Sequence, residues 1–202
     1  MLVSVIIPVY QNHHDYLKDA IKSVEQQTYP HVELIIVEGK KTVGQNMNDG
    51  IARSRGGFIK KLDYDDMLTP NSIADSVNGM QYYDFVYGNA INWEYYTGKE
   101  TLYRYGPTRL DDMLTVNRIH GGTIMYRRRL FDDPVINGYD PELITAEEYD
   151  LNLKLMYNGY KGNYIDKSLY IYRIHNRNKS MVRYIGLHNR RDYVDEIRKR
   201  YV

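Results

Sequence analysis

Within its first 66 residues the chain alternates short apolar runs with stretches of helical periodicity, an order that few folds accept. Residues 2–9, rich in Val and Ile and closed by Pro8 and the polar loop Gln11-Asn12-His13-His14, read as a buried strand. Leu17, Ala20, Ile21 and Val24 then recur at helical spacing across 15–27, and Tyr29-Pro30 stops that helix. Residues 33–37 read as a second buried strand and 44–54 as a short helix. Residues 57–62 read as a third strand, which runs straight into Asp63-Tyr64-Asp65-Asp66. Strand and helix alternating at short intervals predict a parallel sheet of β/α units.

After Pro70 the pattern loosens. The sequence predicts a helix over 71–77, a strand over 84–87, a hairpin over 92–105 turning at Thr97-Gly98, and a strand over 123–126. A helix over 147–157 stops at Asn158-Gly159. A strand over 168–174 and a charged helix over 187–201 complete the chain. With no internal repeat, linker or low-complexity block, 202 residues read as one α/β domain.

Composition removes several classes of function. A chain 43% hydrophobic and 26% charged can bury a core and is not disordered. The longest apolar stretch, residues 2–10, falls far short of the roughly 20 residues that cross a bilayer, and it lacks the basic flank of a signal peptide. The absence of Cys excludes a disulfide scaffold, thiolate catalysis and a zinc finger. The expected location is therefore a reducing cytoplasm, the host's if the chain is virus-encoded. Net charge is +1, but residues 173–202 carry nine Lys and Arg against three Asp and Glu. Such an end can hold an anion or form a solvated helix. No motif points to nucleic acid as a partner.

In open α/β sheets ligands sit beyond the carboxyl ends of the strands. Three such ends carry conspicuous polar groups: Tyr10, Glu38, and the cluster Asp63, Asp65 and Asp66. Carboxylates converging on one crevice repel unless a cation joins them, and hard oxygen donors suit Mg²⁺ or Mn²⁺ rather than zinc. Such an ion completes its shell with phosphate oxygens and water, so the ligand is expected to be a nucleotide or a sugar phosphate. Acidic pairs are common: Asp111-Asp112 and Asp132-Asp133 read as surface or helix-cap residues. Position at the end of an apolar strand distinguishes Asp63-Tyr64-Asp65-Asp66.

Several ordered motifs resemble family 2 glycosyltransferases. They are Val3-Ser4-Val5-Ile6-Ile7-Pro8-Val9-Tyr10, Gln27-Thr28-Tyr29, Glu33-Leu34-Ile35-Ile36-Val37, Asn48-Asp49-Gly50-Ile51 and Leu62-Asp63-Tyr64-Asp65-Asp66. Ala146-Glu147-Glu148-Tyr149-Asp150-Leu151 and Tyr172-Arg173-Ile174-His175 continue the series. The resemblance implies a GT-A fold, with a mostly parallel central sheet flanked by helices. Residues 1–70 would form its nucleotide-binding half. Residues 71–202 would form its acceptor-binding half, with the basic C-terminal helix. It also implies metal-dependent transfer of a sugar, with inversion, from a nucleotide-diphosphate sugar to an acceptor hydroxyl. UDP-sugar is the expected donor, Mn²⁺ or Mg²⁺ the expected cofactor, and a glycan, lipid-linked or protein-linked molecule the expected acceptor.

Carried over by position, the resemblance gives Pro8, Val9 and Tyr10 the nucleobase pocket, with Tyr10 stacking on the base. It gives Glu38 and Asn48 nucleotide contacts, Asp63 the ribose, Asp65 the metal, Asp66 the donor sugar and His175 a further metal or diphosphate contact. Glu148 stands where the family has its general base, and Glu147 matches the acidic residue before it. The Arg-rich stretch from Arg173 to Arg183 would add cationic contacts to the diphosphate, and His120-Gly121-Gly122 would shape the acceptor side. The chain also departs from the family. The segment between Val37 and Asn48 is short, Gly39 replaces a second acidic residue, Met47 stands where an Arg often precedes Asn48, and Glu148 replaces Asp. Those departures suggest an alternative, a catalytically weak or inactive sugar- or nucleotide-binding relic of the same fold.

Overall fold

The computed structural model describes residues 1–10, 16–39, 42–176, 178 and 190–202. Eight strands form one sheet, in the order β2-β1-β3-β7-β5-β8-β4 with β6 paired to β5. They are β1 (Val3–Tyr10), β2 (Val32–Gly39), β3 (Phe58–Lys61), β4 (Met67–Leu68), β5 (Phe85–Glu94), β6 (Glu100–Tyr103), β7 (Met125–Arg127) and β8 (Gly162–Ile174). The helices are α1 (Leu17–Glu25), α2 (Val43–Arg53), α3 (Ser72–Met80), α4 (Leu110–Thr115), α5 (Glu147–Tyr157) and α6 (Arg190–Lys199).

Alternation along β1 explains the two layers of core. Val3, Val5, Ile7 and Val9 face α1 and α3 and pack with Leu17, Ala20, Val24 and Ile73. Ile6 faces the other side, where Met47 and Ile51 of α2 and Leu151, Leu153 and Leu155 of α5 form the second cluster. Pairing of β1 with β3 stops at Ile6, so Pro8 loses no ladder partner on that side. Thr42 caps α2 through a reciprocal pair with Gln45.

The sheet is mixed rather than purely parallel. β1, β2, β3, β5 and β8 run one way, and the short strands β4, β6 and β7 run against them. The reason lies in the connections. The chain enters β7 from a 3₁₀ turn, Gly121–Thr123, whose Gly122 carbonyl lies 3.5 Å from the Lys60 ammonium near the carboxyl end of β3. A strand starting at that end must run antiparallel to β3. Two expected strands are also longer than the sequence suggested. β5 runs on to Glu94 and β8 begins at Gly162, joined by a parallel ladder with a bulge near Tyr87–Ala90. Gly88-Asn89 resembles a turn in sequence, yet here Gly88 lets the backbone of Lys167 approach: a Cβ on it would lie 2.7 Å from the Lys167 carbonyl oxygen. The expected terminal helix is found as α6, and positions 187–189 lie outside the described residues. Among the described residues no helix is long and apolar enough to cross a membrane.

The seat of α2 on the sheet rests on Gly50, where a Cβ would lie 2.5 Å from Ile6 Cγ2 and 3.2 Å from Val37 Cγ2. Overpacking there costs about 1–3 kcal/mol, against about 1 kcal/mol gained in helix propensity. Gly50→Ala is therefore expected to lower the urea midpoint by the equivalent of up to about 2 kcal/mol with an unchanged slope. A midpoint at or above wild type would show that α2 does not depend on this close approach.

Candidate functional site

The acidic turn follows β3 directly and is gripped by β8. Asp66 is 1% exposed, and its carboxylate accepts the backbone N–H of Arg173 at 2.7 Å and the Tyr170 hydroxyl at 2.8 Å. The same hydroxyl accepts the backbone N–H of Asp63 at 3.2 Å and lies 3.3 Å from Asp63 Oδ2. Burial first, then the Asp65 and Asp63 charges, raise Asp66 well above the usual carboxylate range. Its two oxygens are thus spent on protein, although it lies in the wall of the cleft where a donor-sugar role was expected. Gly122 makes this grip possible, since a Cβ there would lie 2.3 Å from the Tyr170 ring.

Arg173 supports the turn from beneath. It is 1% exposed, donating from Nε to the Asp65 carbonyl at 2.9 Å and from the guanidinium to Asp19 at 2.7 Å. Its guanidinium lies 4.4, 5.1 and 5.4 Å from the ring centres of Tyr16, Trp93 and Tyr95. This corrects the expectation that Arg173 meets a diphosphate, because its donors are turned into the protein. The other basic residues of that stretch, Arg177, Lys179 and Arg183, lie outside the described residues.

Asp65 lines the cleft and the buried His175 meets it there, with Oδ2 and Nε2 3.1 Å apart. The His175 backbone N–H donates to Asn178 Oδ1 at 2.6 Å, and the Asn178 amide returns to the Arg173 carbonyl at 2.9 Å, so the imidazole is held by a closed turn. Among the described residues no group of three or more His, Asp or Glu could by itself hold a metal ion. One carboxylate oxygen and one imidazole nitrogen nevertheless fit an ion such as Mn²⁺ that takes its remaining ligands from a diphosphate and water.

The opposing acidic pair opens α5. Ala146, the residue before the helix, adopts a left-handed φ of 61°, a conformation of order 1–3 kcal/mol uphill for a residue with a Cβ. That turn delivers Glu147 and Glu148 to the cleft. Burial, then the Glu147 charge, push the Glu148 carboxyl up to about 7, while Lys61 pulls it back. Lys61, at the end of β3 and 5% exposed, hydrogen-bonds Glu148 Oε1 and lies 2.9 Å from Asp63 Oδ1. Burial works against its charge, but Asp63 and Glu148 outweigh it and hold Lys61 well above the ordinary lysine value. Sequence reasoning missed Lys61. The available signal was a pair of lysines, Lys60-Lys61, inside an otherwise apolar strand.

His120 lines the same cleft. Loss of solvent lowers it to about 4, with Asp63 opposing and Lys61 and Lys60 assisting, so its imidazole is neutral near pH 7. Nδ1 accepts the Gly122 N–H at 3.2 Å. Gly121 is held against Glu148, as a Cβ there would lie 2.8 Å from Glu148 Cγ.

The remaining expected nucleotide contacts separate. Pro8 lines the cleft, but Val9 is buried in the core behind it. Glu38 is exposed and away from the cleft wall. Asn48 is also away from it, its carboxamide closing a double hydrogen bond with the backbone of Tyr139 at 2.8 and 3.0 Å. The stacking expected of Tyr10 concerns a side chain outside the described part of the structure. Asn46 stands in the wall instead: it is 1% exposed, and both its Oδ1 and Nδ2 are buried with no hydrogen-bond partner among the described residues. The departures from the family pattern explain that position. Gly39 leaves room for Asn46, since a Cβ on it would lie 2.9 Å from Asn46 Oδ1, and Met47 fills the core.

Pro8, Asn46, Lys61, the acidic turn, His120 and the two glutamates line one cleft of about 340 Å³, within the ordinary range for a small-molecule site. The basic C-terminal end contributes little free charge among its described residues. Arg198 pairs with Asp195 and the Tyr149 hydroxyl, Lys199 with Glu196, and Arg200 with Asp140 and Asp150.

Comparison with known proteins bears on the family and the fold. The sequence pattern of Glycosyl transferase family 2 matches residues 4–44. A Rickettsia felis protein named an uncharacterized glycosyltransferase is 28% identical over 196 residues, covering 77% of this chain and 31% of its own length. The chain thus spans less than a third of that relative. Among solved structures, Staphylococcus aureus TarS residues 1–349 in complex with UDP-GlcNAc superposes with a TM-score of 0.72 at 17% identity, covering all of this chain and 71% of that one. A Pyrobaculum calidifontis mannosyltransferase, PcManGT, in complex with GDP-Man and Mn²⁺, superposes with a TM-score of 0.65 at 15% identity, covering 90% and 59%. These superpositions identify the fold as GT-A.

The Arg173 cage makes a prediction about stability. Arg173→Met removes charge-assisted hydrogen bonds and desolvated cation–π contacts, so denaturation should show a loss of about 2–4 kcal/mol. Arg173→Lys should recover only part, because an ammonium cannot span Asp65 and Asp19 while lying flat on the rings. Full recovery by Lys would reduce the cage to a matter of charge.

Proposed function

We propose that this chain, which belongs to the family 2 glycosyltransferases, transfers a sugar from a nucleoside-diphosphate sugar to an acceptor hydroxyl with inversion at the anomeric carbon. The observation that carries this reading is one cleft lined by both the acidic turn and the raised carboxyl of Glu148, with the buried His175 paired to Asp65. Residues 1–70 supply the nucleotide side and 71–202 the acceptor side. UDP is the nucleotide we favour. The TarS structure is a complex with UDP-GlcNAc. The Asn46 carboxamide, without a partner among the described residues, offers a donor beside an acceptor, which matches a base edge with N–H beside C=O, as uracil has. Asp63 binds the ribose, and Asp65 with His175 hold a divalent cation, Mn²⁺ or Mg²⁺. Bound there, the cation offsets the charge developing on the leaving diphosphate.

The acceptor hydroxyl attacks the anomeric carbon from the face opposite the diphosphate. Its oxygen forms the new bond as the bond to the diphosphate oxygen breaks. Glu148 takes the hydroxyl proton, a role typically worth 10²–10⁴-fold. Its raised value suits that task, because a base works best when its own affinity for the proton lies near the working pH. Asp66 acts by holding the turn. The acceptor is a glycan or a lipid- or protein-linked molecule.

Titration calorimetry with UDP, GDP and dTDP, each with Mn²⁺ and with EDTA, tests the donor side. One diphosphate should bind only with Mn²⁺, and Asp65→Ala should abolish that metal dependence. Binding of none of them would favour the inactive relic. Glu148→Gln should leave diphosphate binding intact and cut turnover of the donor at least about 10²-fold. In wild type, turnover should fall as pH drops below about 7, since protonation removes the base. An acid limb unmoved by Glu148→Gln would transfer the role to Glu147.

A further inference from the structure

Resting on that reading of Glu148, we propose that Lys61 is a positioning residue: its ammonium ties the general base to the acidic turn and keeps the base aimed and ionised. The geometry is direct. One buried cation hydrogen-bonds Glu148 Oε1 and lies 2.9 Å from Asp63 Oδ1, and so spans the two acidic groups of the cleft. Gly121 closes the other side of Glu148, where any Cβ would collide with its Cγ, so the carboxylate is gripped between β3 and the 3₁₀ turn. Lys61 is itself fixed, since it extends from the last residue of a fully buried strand.

The surroundings explain why a cation is needed. The groups facing Glu148 are Glu147 from its own helix, Asp63 from the acidic turn, and the phenols of Tyr126 and Tyr139. Burial holds both phenols neutral. Lys61 is therefore the cation among these groups, set against two neighbouring carboxylates. Without it, burial and like charge would both favour the protonated carboxyl, which cannot accept a proton.

Carbon-13 NMR of the glutamate side-chain carboxyls reads this without any need for turnover, with Glu148→Gln identifying the signal. Lys61→Met and Lys61→Gln should each raise the Glu148 titration by at least about one pH unit, and Lys61→Arg should return it toward wild type. Glu148 titrating at one pH in all these proteins overturns the proposal. Using both Met and Gln keeps the test alive should one of them fail to fold. In donor turnover, the neutral variants should lose at least about fivefold in kcat at pH 7, the drop in ionised fraction that a one-unit rise entails, with KM for the donor little changed. That loss should vanish in the Glu148→Gln background, and an equal loss there would mean that Lys61 acts on its own. Wild type that turns over no sugar nucleotide defeats the transferase reading, and the NMR titration still decides the role of Lys61.

Discussion

Three carboxylates within four residues at the end of one strand repel each other, and the molecule holds them together by gripping the turn from β8. Asp66 anchors that grip. Its carboxylate takes the backbone N–H of Arg173 and the hydroxyl of Tyr170, and the same hydroxyl takes the N–H of Asp63. Arg173 then reaches under the turn to the Asp65 carbonyl while packed against three aromatic rings. The strand that follows α5, β8, is thus what shapes the end of β3. With Asp66 and the backbone committed, the carboxylates of Asp63 and Asp65 are left at the cleft surface.

The second half of the site is built on the same economy of charge. A helix that begins with two glutamates has them favoured by its dipole, but burying one against another raises its proton affinity. Lys61 moderates this from the neighbouring strand. The result is a carboxyl near neutral, beside a neutral His120, in a cleft whose walls come from both halves of the chain. The two glycines of the 3₁₀ turn are small for steric reasons, one against Tyr170 and one against Glu148.

The departures from the family pattern have physical explanations that weaken the case for a relic. Gly39 and Met47 belong to a repacked corner in which Asn46 enters the cleft wall and Met47 enters the core. Asn48 keeps a structural task, holding the loop at Tyr139 whose Gly138 has a φ of 69°. The basic end, so prominent in the sequence, is mostly self-satisfied where described, docking α6 on α5 through Asp150, Arg200 and Tyr201.

By itself the sequence determined the layered α/β class, the acidic turn at the end of β3, and the glutamate pair at the start of α5. Each is a local signal: apolar periodicity, a strand running into carboxylates, acidic residues opening a helix. It also placed the hairpin turn at Gly98, whose φ is 71°. Only the tertiary structure decided the direction of β7, the length of β5 and β8, and which polar residues face the cleft. Val9 and Glu38 sat at strand ends and Asn48 within α2, yet Val9 is buried in the core, Glu38 is exposed and Asn48 is tied to Tyr139, while Asn46, two residues from Asn48 along α2, took the wall. Lys61 was invisible as a site residue because its partners, Asp63 and Glu148, are 2 and 87 positions away, and a buried ammonium is explained only when both are in reach. Periodicity fixes which face of an element is apolar; the pairing of charges across elements depends on distances that exist only once the sheet has closed.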